Sequence, residues 1–338
     1  MAASPAEHST RRVAFRCDGD ERSGAGHVGR CVPLATALTE LGWEPVFLGA
    51  YAGLAEWLLE RAGLAVAPAD SAAPCGVEPS MFDAAVVDSY RIEAEEICRL
   101  AALRPVATLA EANRCASRGV VVDYHLDATD AEQPRLLAGP RFAPLDPAFA
   151  GGGRAGAQVE TVLVTVGGSL LGAERLAELL PIVSHAFPDA RVLLAGTLPP
   201  GLPGAEHVEE LTAPTALADV VGGIDLAVTA AGFTAYELAS AGLPFAAIAI
   251  VANQRRVVRG LRAKDLAPCL DLVGGEPLAG LAAVLAELED PTLRRRLSAL
   301  GMATFDGRGA RRCAAALAER FATQAPNAPS IGAGEPAS

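Results

Sequence analysis

Arg12-Val13-Ala14-Phe15-Arg16-Cys17 runs directly into Asp18-Gly19-Asp20-Glu21-Arg22-Ser23-Gly24-Ala25-Gly26-His27-Val28-Gly29-Arg30. A short apolar run, a glycine-bearing loop over Asp18–Gly26 and an Ala/Leu-rich stretch over His27–Leu41 read as strand, loop and helix of a parallel α/β sheet. Gly42 ends that helix and Pro45–Leu48 reads as the next strand. Gly24 and Gly26 permit a tight turn and a close backbone approach to a ligand. His27 falls at the helix start, where open N–H groups and the positive end of the dipole suit phosphate or developing negative charge. The same field favours the neutral imidazole that a general base needs. Simple capping of the helix is the competing role for His27.

Outward from this unit, the alternation continues. Strands are expected at Ala84–Asp88, Pro105–Leu109 and Gly119–Asp123. A Pro- and Gly-rich stretch over Gly139–Ala157 reads as a linker, and the pattern restarts with a strand at Thr161–Val166. Further strands are expected at Arg191–Ala195, Leu226–Ala230 and Phe245–Ile250. Helices are expected at Ala173–Ala186, Thr215–Val221, Thr234–Ala241, Gln254–Leu261, Pro277–Glu287, Pro291–Phe305 and Gly309–Phe321, the last placed to cross back to the first half. The expected organisation is two Rossmann-like α/β domains, 11–150 and 158–322, facing a cleft, with a disordered tail over 323–338. Ligands of open α/β sheets bind at the carboxyl ends of the strands, where the turns singled out below fall.

Composition narrows the function classes. The 338 residues carry 28 Lys and Arg against 40 Asp and Glu, a formal charge of -12, and Lys264 is the sole lysine. An acidic chain without a basic run is a poor partner for nucleic acid, whose affinity comes from clustered cations. Hydrophobic residues make up 51%, too many for a disordered chain. No apolar run reaches the roughly 18–20 residues of a membrane span, and Met1–Thr10 has no apolar core of a signal peptide, so a cytoplasmic location without an integral membrane segment is expected. The seven cysteines, Cys17, Cys31, Cys75, Cys98, Cys115, Cys269 and Cys313, form no CxxC pair. Reduced, packed thiols are expected, with no metal centre and no cofactor.

Three further segments carry chemistry. Val86-Val87-Asp88-Ser89-Tyr90 ends a strand, so Asp88 and Tyr90 reach the cleft. Val164-Thr165-Val166-Gly167-Gly168-Ser169 is a strand followed by a turn whose N–H groups suit a diphosphate. Ala230-Ala231-Gly232-Phe233-Thr234-Ala235-Tyr236-Glu237 places Gly232, Phe233 and Thr234 at a helix start and Glu237 one turn in, where a carboxylate can accept both hydroxyls of a ribose. Asn253 and Gln254 follow a buried strand and direct their amides at sugar hydroxyls or cap the next helix. Among the other histidines, His125 follows a strand beside Asp123 and is the one with a path to the cleft; His8, His185 and His207 lie in polar surface contexts.

At these residues the chain resembles the GT-B superfamily, and within it the group of the pseudaminic-acid UDP-sugar hydrolase and the spore-coat polysaccharide glycosyltransferase-like proteins; it is more distantly similar to the lipid-II N-acetylglucosaminyltransferase. The matching pieces are the R-x-D-x5-G-x-G-H-V-x-R-C run from Arg16, the VVDSY strand end, Gly139-Pro140-Arg141-Phe142 with Pro147 and Phe149, the VGGS turn, the AAGFTAYE–GLP segment and Asn253-Gln254. The resemblance implies a catalytic set of His27, Asp18 and Tyr90, with His27 the base near the anomeric carbon. It also implies that Gly26, Arg30, Asp88, Gly167, Gly168 and Ser169 line the substrates, that Gly232, Phe233 and Thr234 hold the diphosphate, Glu237 the ribose, and Asn253 with Gln254 the sugar. Two departures fall in the first half: Asp88-Ser89-Tyr90 stands where the hydrolase group has D-H-Y, and Leu109-Ala110-Glu111-Ala112-Asn113 where it has an I-D-D-L strand end.

The leading expectation is a metal-independent inverting glycosyltransferase with a nucleotide-sugar donor, UDP-sugar first, and a small-molecule or saccharide acceptor. The alternative is a hydrolase with water in the acceptor's place. A non-catalytic nucleotide-sugar binding protein stands third. A dinucleotide oxidoreductase fits poorly, because the first loop lacks GxGxxG and Leu48-Gly49-Ala50 puts no acid at the end of the second strand.

Overall fold

The computed structural model describes residues 10–20, 23–109, 118–129, 133, 135–166, 170–198, 201, 207–211 and 215–323. The first half holds β1 (Arg11–Cys17), α1 (Gly26–Thr39), β2 (Trp43–Leu48), α2 (Leu54–Arg61), β3 (Ala65–Ala67), β4 (Ala84–Asp88), α3 (Ala94–Ala101), β5 (Val106–Leu109), β6 (Val120–Asp123) and β7 (Leu136–Ala138). The second holds β8 (Thr161–Thr165), α4 (Leu170–Ala186), β9 (Arg191–Leu194), β10 (Val208–Glu210), α5 (Leu217–Val220), β11 (Leu226–Ala230), α6 (Phe233–Ala241), β12 (Phe245–Ala249), α7 (Gln254–Ala263), β13 (Cys269–Asp271), α8 (Gly280–Glu287) and α9 (Pro291–Thr304). A final helix, α10 (Gly309–Thr323), returns to pack on α1, and its Phe321 ring meets Trp43 of β2 edge-on at 5.7 Å.

Each half is one parallel sheet. The strand orders are β3-β2-β1-β4-β5-β6-β7 and β10-β9-β8-β11-β12-β13. In both, the chain starts at a central strand, moves to one edge and then returns to build the other side. The crevice at that reversal is where α/β sheets bind ligands. The central strands are buried on both faces, so β4, β8, β11 and β12 read as unbroken apolar runs rather than alternating ones. Helix α1 buries Val28, Cys31, Leu34, Ala35 and Leu38 against β1, on one stripe at helical spacing. Helix α6 stops at Gly242, whose φ of 74° is the left-handed conformation a glycine C-cap takes without strain.

The two halves share core. Tyr124 and Leu126 after β6, with Phe142 and Phe149 of the connecting segment, belong to one buried cluster with Ala231, Ala235, Tyr236 and Val257 of the second half. Gly260 of α7 sits so close to Leu126 that a Cβ there would lie 2.8 Å from its side chain. Among the described residues Cys17, Cys31, Cys75, Cys269 and Cys313 are free thiols, but Cys98 of α3 is disulfide-bonded, which corrects the expectation of reduced thiols throughout: the absence of a CxxC pair does not exclude a bridge between cysteines distant in sequence. The expected tail lies outside the described residues.

Candidate functional site

The register of the first sheet sets the site. Cys17 of β1 lies opposite Asp88 of β4, so the loop into α1 and the loop after β4 leave the sheet side by side. Asp88 is fully buried. Arg30, one turn into α1 from His27, grips it with two hydrogen bonds, Nε to Oδ2 at 2.6 Å and Nη2 to Oδ1 at 2.7 Å. Burial alone would raise the Asp88 pKa; the Arg30 guanidinium and His27 outweigh it and hold the carboxyl well below the usual range. His27 Nδ1 lies 3.0 Å from Asp88 Oδ1 and 2.8 Å from Arg30 Nη2. The His27 ring is 4% exposed and meets the Tyr90 ring edge-on, with centroids 4.8 Å apart. Asp18 accepts hydrogen bonds from the Ser89 hydroxyl at 2.9 Å and from the Tyr90 N–H at 3.2 Å. It therefore shapes the turn that carries Tyr90.

The second half contributes the start of α6. No side chain caps this helix, and its N-cap Gly232 is followed by Phe233 and Thr234. A Cβ on Gly232 would meet nothing within 4 Å, so the approach to the helix N–H groups is open. Glu237 lies one turn in, partly buried, with the Thr234 hydroxyl donating to it. Burial, with Asp146 nearby and no cation to offset it, pushes its pKa up to about 7. Gln254 Oε1 accepts from the Ile250 N–H at 2.8 Å, so half of this amide holds its own turn. Asn253 Nδ2 donates across the cleft to Tyr90 Oη at 3.3 Å.

These pieces border a single cavity of about 100 Å³, lined by Arg30, Tyr90, Tyr124 and His125 from the first half and by Gly232, Phe233, Asn253 and Gln254 among others from the second. The α1 turn and the α6 turn thus share a crevice. His27 lies behind Tyr90 rather than on the cavity wall. The cavity is smaller than the roughly 300–1,000 Å³ typical of ligand sites. Gly167, Gly168 and Ser169 lie outside the described residues.

Sequence spacing gave His125 little prominence, yet it lines the cavity, and its Nδ1 is hydrogen-bonded to Asp123 Oδ1 at 2.9 Å. Asp123 also pairs with Arg256 of α7 at 3.1 Å, and Arg256 reaches Asp127 at 2.7 Å, tying the halves together beside the cavity. The signal available in the sequence was D-x-H at a strand end, the same strand-end placement that brought Asp88 and Tyr90 forward.

Two facing parallel α/β halves with the site between them define the GT-B fold. No family model and no curated sequence relative matches the chain. Solved structures do resemble it over nearly its whole length. They include CalG4, the calicheamicin glycosyltransferase (17% identity, TM-score 0.63, covering 94% of this chain and 100% of that one). MurG of Acinetobacter baumannii is similar as well (15%, 0.61, 91% and 99%). So is a Listeria monocytogenes protein assigned as a UDP-N-acetylglucosamine 2-epimerase (12%, 0.60, 93% and 97%). At these identities the likeness establishes the GT-B fold.

Proposed function

We propose that the chain is a glycosyltransferase that takes a nucleotide-sugar, a UDP-sugar first, and inverts its anomeric carbon in a single displacement without a metal ion. One observation carries the reading: an uncapped helix start on one wall of the cavity faces Arg30, Tyr90 and His125 on the other, with His27 and Asp88 packed behind Tyr90. A helix start stabilises the departing diphosphate through its N–H groups and dipole, the charge that develops as the sugar bond breaks. In this reading Gly232, Phe233 and Thr234 cradle the diphosphate, Glu237 meets the ribose, and Asn253 and Gln254 meet the sugar. Gly26, Arg30, Asp88 and Tyr90 form the acceptor side with Asp18, and a cleft imidazole takes the acceptor's proton. The glycosyltransferases among the similar structures favour it as fold-level analogy.

The pseudaminic-type hydrolase is the second reading, with water in the acceptor's place. One assay separates the two. The protein is incubated with UDP-, dTDP-, GDP- and CMP-sugars without acceptor, and nucleoside diphosphate and free sugar are followed together. Free sugar in step with nucleotide, at rates unaffected by added acceptors, means hydrolysis. Nucleotide release that waits on an acceptor means transfer. No binding or turnover of any nucleotide-sugar refutes both.

A further inference from the structure

Arg16 stands at the end of the first strand and has no part in the site described above. Its Cα lies opposite Val87 of β4, one residue before the Cys17–Asp88 pair. Its side chain therefore leaves β1 at the carboxyl end, where α/β sheets take ligands. Phe15 and Cys17 belong to the core beneath α1, and Ala14 to the core beneath α3, so strand alternation sends Arg16 to the α3 face. There the guanidinium emerges between two turns. A Cβ at Gly49, just past β2, would lie 3.5 Å from Arg16 Nη1, and one at Gly76 would lie 3.6 Å from Nε. Glycine at both positions keeps side chains off the guanidinium.

A guanidinium has five N–H donors and keeps its charge. The hydrogen bond that Arg16 makes runs from Nη1 to the Cys17 carbonyl, at 3.3 Å. Among the described residues its buried Nε meets no acceptor, and neither does Nη2. Nε and Nη2 form one edge of the group. Arg30 uses that edge to fork Asp88, through Nε at 2.6 Å and Nη2 at 2.7 Å. In Arg16 the same edge holds no protein partner.

No carboxylate offsets the charge. The ionisable groups beside it are Cys75 and Tyr51, and both are neutral: burial pushes the Cys75 thiol up to about 12 and raises the Tyr51 phenol as well. The acids of the adjoining turn are engaged elsewhere. Glu96 accepts from the Cys75 N–H at 3.0 Å and pairs with Arg99, and Asp70 accepts from the Ala72 N–H at 2.9 Å. Scarcity of acids is not the cause, since they outnumber the basic residues 40 to 28. A structural arginine leaves a different mark. Arg294 also has a buried Nε without an acceptor, but its two Nη groups hold four backbone carbonyls, of Leu288, Glu289, Gly156 and Ala157, at 2.7–2.9 Å. Arg294 clamps two segments together; Arg16 clamps none. A half-buried cation without a counter-charge is costly to the fold on its own, and an anionic ligand supplies what it lacks.

We propose that the Nε–Nη2 edge of Arg16 is an oxyanion subsite on the acceptor side of the cleft, taking a carboxylate or phosphate group that the acceptor carries. Both groups present two oxygens at the spacing of the fork. The link to an acceptor rests on the glycosyltransferase reading above; the affinity of the subsite for an oxyanion does not.

The test has two arms. In ligand-free wild-type protein carrying 15N-arginine, the Nε–H signal of Arg16 is identified by its loss in Arg16→Gln or Arg16→Lys. Inorganic phosphate and sodium acetate are then titrated, with sodium chloride at equal ionic strength as the control. The signal is expected to shift saturably with phosphate, acetate or both, with a Kd on the order of 10 mM, and to stay in place in chloride. The anion that moves it tells phosphate from carboxylate. No shift with either anion, or an equal shift in chloride, overturns the subsite. In the second arm, nucleoside diphosphate release from a UDP-sugar is followed with acceptor probes that differ in charge: 4-hydroxybenzoate against 4-hydroxybenzyl alcohol, and glucose 6-phosphate against glucose. The wild type is expected to favour the anionic member of at least one pair by about tenfold in kcat/KM, Arg16→Gln to lose that preference, and Arg16→Lys to keep part of it. A preference that survives in Arg16→Gln, or neutral members preferred in both pairs, overturns the acceptor assignment. Nucleotide release that no probe accelerates argues for hydrolysis, a failure of the transfer reading, and leaves the first arm to decide the subsite.

Discussion

Asn253, at the start of α7, donates its amide N–H across the cleft to the phenol oxygen of Tyr90, which follows β4, at 3.3 Å. The two belong to different sheets, and both border the cavity. Tyr90 is 48% exposed, so the bond is made at the mouth rather than in the core. A hydrogen bond of this kind contributes about 0.5–1.5 kcal/mol net. Tyr90→Phe keeps the ring against His27 and deletes the acceptor. Nucleoside diphosphate affinity is expected to fall about two- to tenfold, with the melting temperature nearly unchanged. Titration calorimetry reads the first and a thermal melt the second; unaltered affinity removes Tyr90 from the set of groups that close the cleft.

Arg256 joins the halves more firmly, because it faces Asp123 and Asp127 together. Asp123 is nearly buried, and its carboxyl is held below the usual range. A carboxylate with a depressed native pKa contributes stability above its unfolded pKa and loses that contribution as pH falls through the native one. Stability of the wild type is thus expected to drop below about pH 4 partly through this pair. Arg256→Ala is expected to cost about 1–3 kcal/mol at pH 7, the exposed Asp127 contact adding little. The difference between the two proteins narrows in acid. Urea denaturation at pH 7 and pH 3 measures both, and a pH-independent difference contradicts the assignment.

The architecture was legible where burial is complete on both faces and a glycine turn follows. Ala84–Asp88 and Leu226–Ala230 have the bounds expected of them, and α1, α6 and α9 differ by a residue or two at their ends. Strands β3, β7, β10 and β13 were not legible: each is a sheet-edge strand of three residues, too short for a period to show. Helices α2 and α3, eight residues each, were missed for a similar reason. Within the site, spacing brought out His27, Asp88 and Tyr90 separately. That Arg30 would bind Asp88, 58 residues away, and turn toward His27 depends on the β1–β4 register, which no local pattern encodes.

Asp18-Gly19-Asp20 has the spacing of a metal-binding acidic pair, yet each carboxylate already has protein partners. Asp18 takes Ser89 and the Tyr90 N–H; Asp20 takes Arg91 in a fork and the Ser23 hydroxyl. If the α6 start supplies the electrostatic stabilisation, nucleotide release is expected to persist within about twofold after chelation with EDTA, and Asp20→Asn to leave metal response flat. The product is expected to show the opposite anomeric configuration from the donor by proton NMR. Restoration of a chelated enzyme by magnesium or manganese, or a retained anomer, contradicts the single metal-free displacement.

Glu237 gives the site a pH dependence opposite in sign to that of Asp123. Its pKa is pushed up to about 7 from an ordinary value of 4.5, chiefly by burial, with the Thr234 hydroxyl working the other way and Asp146 adding to the rise. A raised native pKa means the fold favours the neutral acid. The associated stability is fully present below about pH 4.5 and is lost as pH climbs to about 7, above which nothing further changes. Glu237→Gln, which mimics the neutral acid, is expected to match the wild type at pH 4.5 and exceed it by about 1–3 kcal/mol at pH 8. Ligand affinity is expected to move the other way. An ionised carboxylate accepts ribose hydroxyls more strongly than a neutral one, so wild-type binding of a nucleoside diphosphate should tighten from pH 6 to pH 8, while Glu237→Gln binds weakly at both. Denaturation and calorimetry at the two pH values test the pair of statements together. A variant that is no more stable than wild type at pH 8 shows that Glu237 ionises freely, and one that binds nucleotide as well as wild type shows that the ribose lies elsewhere.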